Sequence, residues 1–178
     1  MTGLLRPRGP LKHLSGIFYR IVPLSRADDP LAPAVSLEGR FHHAGQAALY
    51  LSSRQDWAEH AIARYVQPDD PPRVFCEIEI ARALVLDLRD GAQCAAWGAD
   101  PALASVPWLE QRALGARATT WGLSDLARQG GAQGMIYTAR SCPSRWHLVL
   151  FDRLEAGATL RATGQRFPYP TTAPKTAP

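Results

Sequence analysis

A chain of 178 residues is long enough for one domain whose core removes well over half of the unfolded surface from water. Its 46% hydrophobic and 20% charged composition is ordinary for a soluble protein, and no apolar run approaches the roughly 18 residues of a membrane span, which argues for a cytoplasmic protein with no membrane partner. Twenty basic against sixteen acidic side chains leave a charge of +4, with the arginines dispersed; this disfavours direct nucleic-acid binding and suits a small anionic ligand or an acidic partner. Cys76, Cys94 and Cys142 are odd in number and far apart, a pattern of reduced structural thiols and not of a disulfide framework or a zinc site.

Residues 1–16 contain Pro7, Gly9 and Pro10, lack the apolar stretch of an export signal, and read as an irregular N-terminal arm. The β-prone run Ile17, Phe18, Tyr19, Arg20, Ile21 and Val22, closed by Pro23, predicts a first core strand. Residues 24–36, with Asp28, Asp29, Pro30 and Pro33, predict a loop long enough to close over a ligand. Gly39 and Gly45 bracket Arg40, Phe41, His42 and His43, and residues 47–52 predict a second, short strand. Ser52 or Ser53 is placed to cap a following helix. On its wheel Trp57, Ala58, Ala61, Ile62, Tyr65 and Val66 form one apolar stripe; Glu59 lies at the edge, within reach of a half-buried cleft, and His60 and Arg64 fall on the solvent side.

Prolines 68, 71 and 72 end that helix. Residues 74–80 and 84–88 then predict either two strands or one long bent strand. The middle of the chain is less regular, with short helices near Ala102 and over residues 108–114. A helix over residues 119–129 should stop at Gly130 and Gly131, since glycine accepts the left-handed geometry of a C-cap. Residues 135–138 predict a strand and residues 146–151 the last strong one. Residues 168–178, PYPTTAPKTAP, read as a disordered tail rich in Pro and Thr.

A P-loop, a GxGxxG strand-to-helix turn, an HExxH pair and a GxSxG elbow are all absent from the sequence. His42 and His43 are adjacent, so on an extended chain they point to opposite faces, and no further ligand stands at zinc spacing; a metal site is not expected. What remains is an ordered series of short motifs: Tyr19-Arg20, Gly39-Arg40-Phe41, Ala48-Leu49-Tyr50-Leu51, Trp57-Ala58-Glu59, Val85-Leu86-Asp87-Leu88, Gly134-Met135-Ile136-Tyr137, Ala139-Arg140-Ser141 and His147-Leu148-Val149-Leu150-Phe151. In this order, over most of residues 17–153, the chain resembles the RES domain family, named for its arginine, glutamate and serine.

That resemblance implies an α+β fold in one domain over residues 17–167, a central mixed or antiparallel β core with flanking helices, similar to ADP-ribosyltransferases. It also implies a toxin of a bacterial toxin–antitoxin pair that consumes NAD as substrate without a further cofactor, with a helix-turn-helix antitoxin as partner. Carried over by position, the family's arginines fall on Arg20 and Arg40, its tyrosine on Tyr50, its glutamate on Glu59 and its serine on Ser141. Arg40, Tyr50 and Glu59 are then the catalytic candidates, while Arg20, Arg40, Tyr50 and Ser141 would bind the nucleotide.

These residue types suit the chemistry. Cleaving the nicotinamide–ribose bond develops positive charge on the ribose, which a carboxylate such as Glu59 stabilises. Guanidinium forks on Arg20 and Arg40 match pyrophosphate oxygens, Tyr50 offers a ring to stack on nicotinamide, and the Ser141 hydroxyl can bond its amide. By residue type alone, the arginines equally suit ion pairs, Tyr50 a core position, Glu59 a helix surface and Ser141 a turn. ADP-ribose transfer to a macromolecule, and nucleotide or antitoxin binding without turnover, are the alternative functions. Two histidines depart from the family pattern, His42 and His147, each standing where or near where a polar asparagine is expected, and the step from Tyr50 to Glu59 is short.

Overall fold

The fold is built around one long strand that changes partners halfway along. The structure, a computed structural model, describes residues 9–151 and 157–170. In chain order it runs β1 (Lys12–Pro23), a 3-10 turn (Leu24–Arg26), β2 (Leu49–Ser52), α1 (Gln55–Ile62), β3 (Arg73–Asp87), α2 (Gly91–Trp97), a second 3-10 turn (Pro101–Ser105), α3 (Trp108–Ala113), α4 (Thr120–Gln129), β4 (Gly134–Ala139), β5 (Cys142–Leu150) and β6 (Thr159–Pro168).

Residues 73–87 thus form one bent strand. The bend sits at Arg82, a non-glycine residue with φ of 59°, opposite a bulge between Leu14 and Gly16 of β1. The Ser15 hydroxyl accepts a hydrogen bond from the Arg82 N–H at 2.9 Å, so the kink is tied across the strand pair. On one side β3 pairs with β1 along nearly its whole length. On the other it pairs antiparallel with β6 before the bend and parallel with β4 beyond it. A parallel pair needs a crossover connection, and the run α2, α3, α4 supplies it.

Since β1 pairs with both β2 and β3, the order β1-β2-β5-β4-β3 closes on itself as a five-stranded barrel, with β6 added at the edge of β3. Side-chain alternation divides the core in two. Phe18, Leu49, Leu51, Ile78, Ile80, Val85, Ile136, Leu148 and Leu150 fill the barrel. Their strand neighbours Leu86, Met135, Tyr137 and Val149 point outward and pack with Phe41, Trp97 and Leu123 under the helices. The fold is therefore α+β with mixed pairing, as the resemblance implied.

Several elements differ from expectation. β1 begins at Lys12, so the last five residues assigned to the irregular arm are strand. The N-cap of α1 is Arg54, in extended conformation and without a side-chain cap bond, and not Ser52 or Ser53. Ser52 is instead buried in β2. α2 was not expected, although its ends are well marked: Asp90 Oδ1 accepts from the N–H groups of Ala92 and Gln93, and Gly98 closes it at φ 63°. β6 lies beyond the last expected strand and runs to Pro168; of the expected disordered tail, residues 171–178 fall outside the described residues. α4 ends as anticipated, with Gly131 at φ 82°. Among the described residues no helix is long and apolar enough to cross a membrane.

Candidate active site

Register decides which side chains share the outer face of the barrel. Tyr50 lies opposite Val149, Ser52 opposite His147, and His147 opposite Tyr137, so β2, β5 and β4 present Tyr50, Ser52, His147 and Tyr137 on one side. The β4–β5 hairpin then breaks step: Cys142 pairs with Ala139 but Trp146 with Thr138, which leaves residues 143–145 bulged out of the ladder. Arg140 and Ser141 form the turn, and Arg145 lies in the bulge. A cavity of about 820 Å³ opens over this face, walled by residues of the loop before β2, the end of α1, Trp108 and the hairpin.

The loop from Ser36 to His42 is held from several directions. The Gly39 N–H donates to the His42 carbonyl at 2.9 Å, and the Gly39 carbonyl accepts from the Trp121 indole at 2.8 Å. Thr120 bonds the Arg40 carbonyl, and the Arg40 guanidinium donates to the Ala104 carbonyl at 2.9 Å. Glu38 forms a two-toothed ion pair with Arg112, at 2.9 and 3.0 Å. No larger residue fits at Gly39, where a Cβ would lie 2.4 Å from His42 Cε1 and 3.0 Å from the Tyr50 hydroxyl. Loop and strands thus form a preorganised wall.

Tyr50 and His42 form a single hydrogen-bond chain. The Tyr50 oxygen accepts from the Phe41 N–H at 2.9 Å, so its own proton goes to His42 Nδ1, also at 2.9 Å. The His42 Nε2–H then donates to the Ser36 carbonyl at 3.0 Å. Burial raises the Tyr50 pKa and lowers that of His42, so both stay neutral and the chain keeps its direction. His42, a departure from the family pattern, therefore serves as a buried brace. His147, the second departure, bonds Ser52 Oγ at 2.7 Å and is held down to about 4 by burial, then by the charges of Arg40 and Arg145. It is a neutral group in the cavity wall at pH 7.

The five expected residues can now be placed. Arg40, Tyr50 and Ser141 meet at the cavity. Arg20 does not: its guanidinium donates to the Pro30 carbonyl at 2.6 Å and to that of Ala32, pinning the loop after β1. Burial, then Arg26, lowers its pKa to about 10. In the structure it anchors the loop after β1 and is not among the residues lining the cavity. Glu59 also stays outside the cavity wall. Its charge is felt instead by Tyr169, the residue after β6. The lining takes in residues 60–65, the last residues of α1 and the turn after it, and Glu59 lies just N-terminal to them.

Sequence reasoning also passed over several wall residues. His60 and Arg64, assigned to the solvent side, border the cavity, because α1 ends at Ile62 and residues 63–65 turn across its mouth. Tyr137 and Arg140 were visible within family motifs but had been given no role. Arg145 carries no sequence signal, since the bulge that places it is a property of pairing. Trp108 lines the cavity with its indole N–H buried and without a hydrogen-bond partner among the described residues. Arg40, Arg64, Arg140 and Arg145 give the wall a strongly positive character; among the described lining residues Glu38 is the carboxylate. No cluster of three His, Cys, Asp or Glu side chains among the described residues is placed to hold a metal ion.

An arginine-lined, aromatic cleft on the outer face of a barrel has the chemistry to hold an anionic, partly planar ligand. The sequence model of the RES domain matches residues 17–172, and the chain belongs to that family. Among solved structures it is similar to a chain in the crystal structure of the M. tuberculosis MbcT–MbcA toxin–antitoxin complex, with a TM-score of 0.64 and 19% identity over 92% of this chain and 88% of that one. A comparison with curated proteins finds no match.

Proposed function

We propose that the protein is a cytoplasmic NAD-consuming toxin of a toxin–antitoxin pair, which cleaves the nicotinamide–ribose bond by hydrolysis or phosphorolysis and is related in fold to ADP-ribosyltransferases. Family membership supports this reading, as does the likeness to a structure of a toxin–antitoxin complex. The observation that carries it is the cavity itself: guanidinium groups of Arg40, Arg140 and Arg145 stand beside the rings of Tyr50, Tyr65 and Tyr137. Guanidinium groups recognise the pyrophosphate, and aromatic rings recognise the bases. NAD would be substrate, with no separate cofactor, and a helix-turn-helix antitoxin would restrain it.

Nicotinamide release from NAD, measured with and without phosphate, tests the reading, together with NAD affinity by calorimetry. Release in either buffer supports it; a folded protein that neither binds nor cleaves NAD refutes it. A second reading, nucleotide or antitoxin binding without turnover, is favoured by the position of Glu59 outside the cavity wall. NAD binding with no product in any buffer would decide for it. ADP-ribose transfer to a macromolecule is distinguished by label from NAD appearing on protein or nucleic acid.

A further inference from the structure

His147 and Tyr137 lie opposite each other on β5 and β4, with ring centroids 5.6 Å apart, and both line the cavity although only 4% and 8% exposed. Ser52 Oγ occupies His147 Nδ1. His147 Nε2 and the Tyr137 hydroxyl make no hydrogen bond among the described residues, yet neither is sealed off from solvent, so both open into the cavity. Resting on the reading that this cavity takes NAD, we propose that His147 and Tyr137 form the subsite that recognises the carboxamide of the nicotinamide ring, adding to the Ser141 hydroxyl at the hairpin turn.

The proton positions follow from Ser52. Its side chain is buried, and among the described residues its hydroxyl has His147 as partner, so the Ser52 proton is donated to Nδ1. A neutral imidazole that accepts at Nδ1 carries its hydrogen on Nε2. The reverse tautomer would leave the Ser52 proton buried and unpaired. Nε2–H is therefore a donor with a fixed direction into the cavity. Beside it the Tyr137 hydroxyl can accept, and its ring is packed against Phe41 with centroids 4.6 Å apart.

A carboxamide is the complement of this pair: one planar group with an oxygen that accepts and an N–H that donates. Burial, then the charges of Arg40 and Arg145, holds His147 down to about 4, and burial raises Tyr137, so both are neutral at pH 7 and suit an uncharged group. The charged phosphates fall to the guanidinium groups of Arg40, Arg140 and Arg145 in the same wall. The two bonds hold the ring in place; they serve binding and not bond cleavage.

Base release from NAD and from its 3-acetylpyridine analogue, in which a methyl group replaces the amide nitrogen and the carbonyl stays, tests the proposal on the full chain, Tyr137→Phe and His147→Phe, with thermal stability measured on each. Tyr137→Phe should raise KM for NAD about tenfold and leave the analogue within about threefold, so that the preference for NAD falls. His147→Phe should raise KM about tenfold for both compounds, since both keep the carbonyl, and kcat should stay within about threefold in each variant. An unchanged preference for NAD in Tyr137→Phe, or the parent's KM retained in His147→Phe, overturns the proposal. Should His147→Phe misfold with Ser52 left unpaired, Ser52→Ala combined with His147→Phe removes both partners and is read in the same way; the preference in Tyr137→Phe decides by itself if that variant also fails. A parent chain that binds NAD without cleaving it overturns the NAD-cleaving reading alone, and the same comparisons are then made on dissociation constants by calorimetry. A parent chain that neither binds nor cleaves NAD overturns that reading and this proposal with it.

Discussion

Replacing Gly39 by alanine perturbs the site wall at its tightest point. The new methyl would lie 2.4 Å from His42 Cε1 and 2.6 Å from Nδ1, whereas carbon atoms in contact need about 3.5 Å or more. The imidazole must therefore move by about 1 Å. It is 1% exposed, and each of its nitrogens is bonded, to the Tyr50 hydroxyl and to the Ser36 carbonyl. Overpacking of this kind costs about 1–3 kcal/mol and each buried hydrogen bond lost costs about 0.5–1.5 kcal/mol. The expected destabilisation is about 2–4 kcal/mol, or a fall in Tm of about 5–15 °C for a domain of this size.

Urea unfolding followed by tryptophan fluorescence measures it, in the parent and in a His42→Ala background. With the imidazole gone the methyl has room, and Gly39→Ala should then cost less than about 1 kcal/mol. An equal cost in both backgrounds, or less than about 0.5 kcal/mol in the parent, would refute the steric account.

Three further expectations follow from the geometry. Arg20→Ala should lower stability by about 1.5–3 kcal/mol through its lost bonds to Pro30 and Ala32, while leaving NAD affinity unchanged; calorimetry and urea melts separate the two effects. His147 has its folded pKa lowered to about 4, so between pH 6.5 and 4 the unfolded chain takes up a proton that the native state refuses. Stability should fall over that window by about 3 kcal/mol, with His42 acting in the same direction, and His147→Asn should remove part of the slope in Tm against pH. Arg140→Gln and Arg145→Gln should each weaken NAD binding about five- to tenfold at low salt, less at high salt, and leave the fold intact because both lie at the hairpin turn and bulge.

Much of the fold was legible where strands are buried. Residues 17–22 and 84–88 carry β-branched and apolar side chains because one or both of their faces enter the core. β6 was not legible, for the opposite reason: among the described residues it is an edge strand paired with β3 alone, and its sequence TLRATGQRFP is mostly exposed. Arg161 and Arg166 on it form ion pairs with Glu79 and Asp28, which suits an edge but reads as a polar loop. The early start of β1 was hidden likewise, since in residues 12–16 only Leu14 is buried.

The family and the make-up of the site wall were written in local sequence. Gly39 had to be glycine, Arg40 lies beside it, and the alternation of β2, β4 and β5 carries Tyr50, Tyr137 and His147 on one face whatever surrounds them. Which charges enter that wall was decided only by tertiary structure. α1 ends at Ile62, and Ala61 and Arg64 line the cavity while Glu59 does not. A bulge in β5 displaces Arg145 from the ladder, and the loop after β1 closes on the Arg20 guanidinium. Each depends on where an element ends or how two strands register, quantities set by long-range packing that a side chain's own neighbours in sequence do not encode.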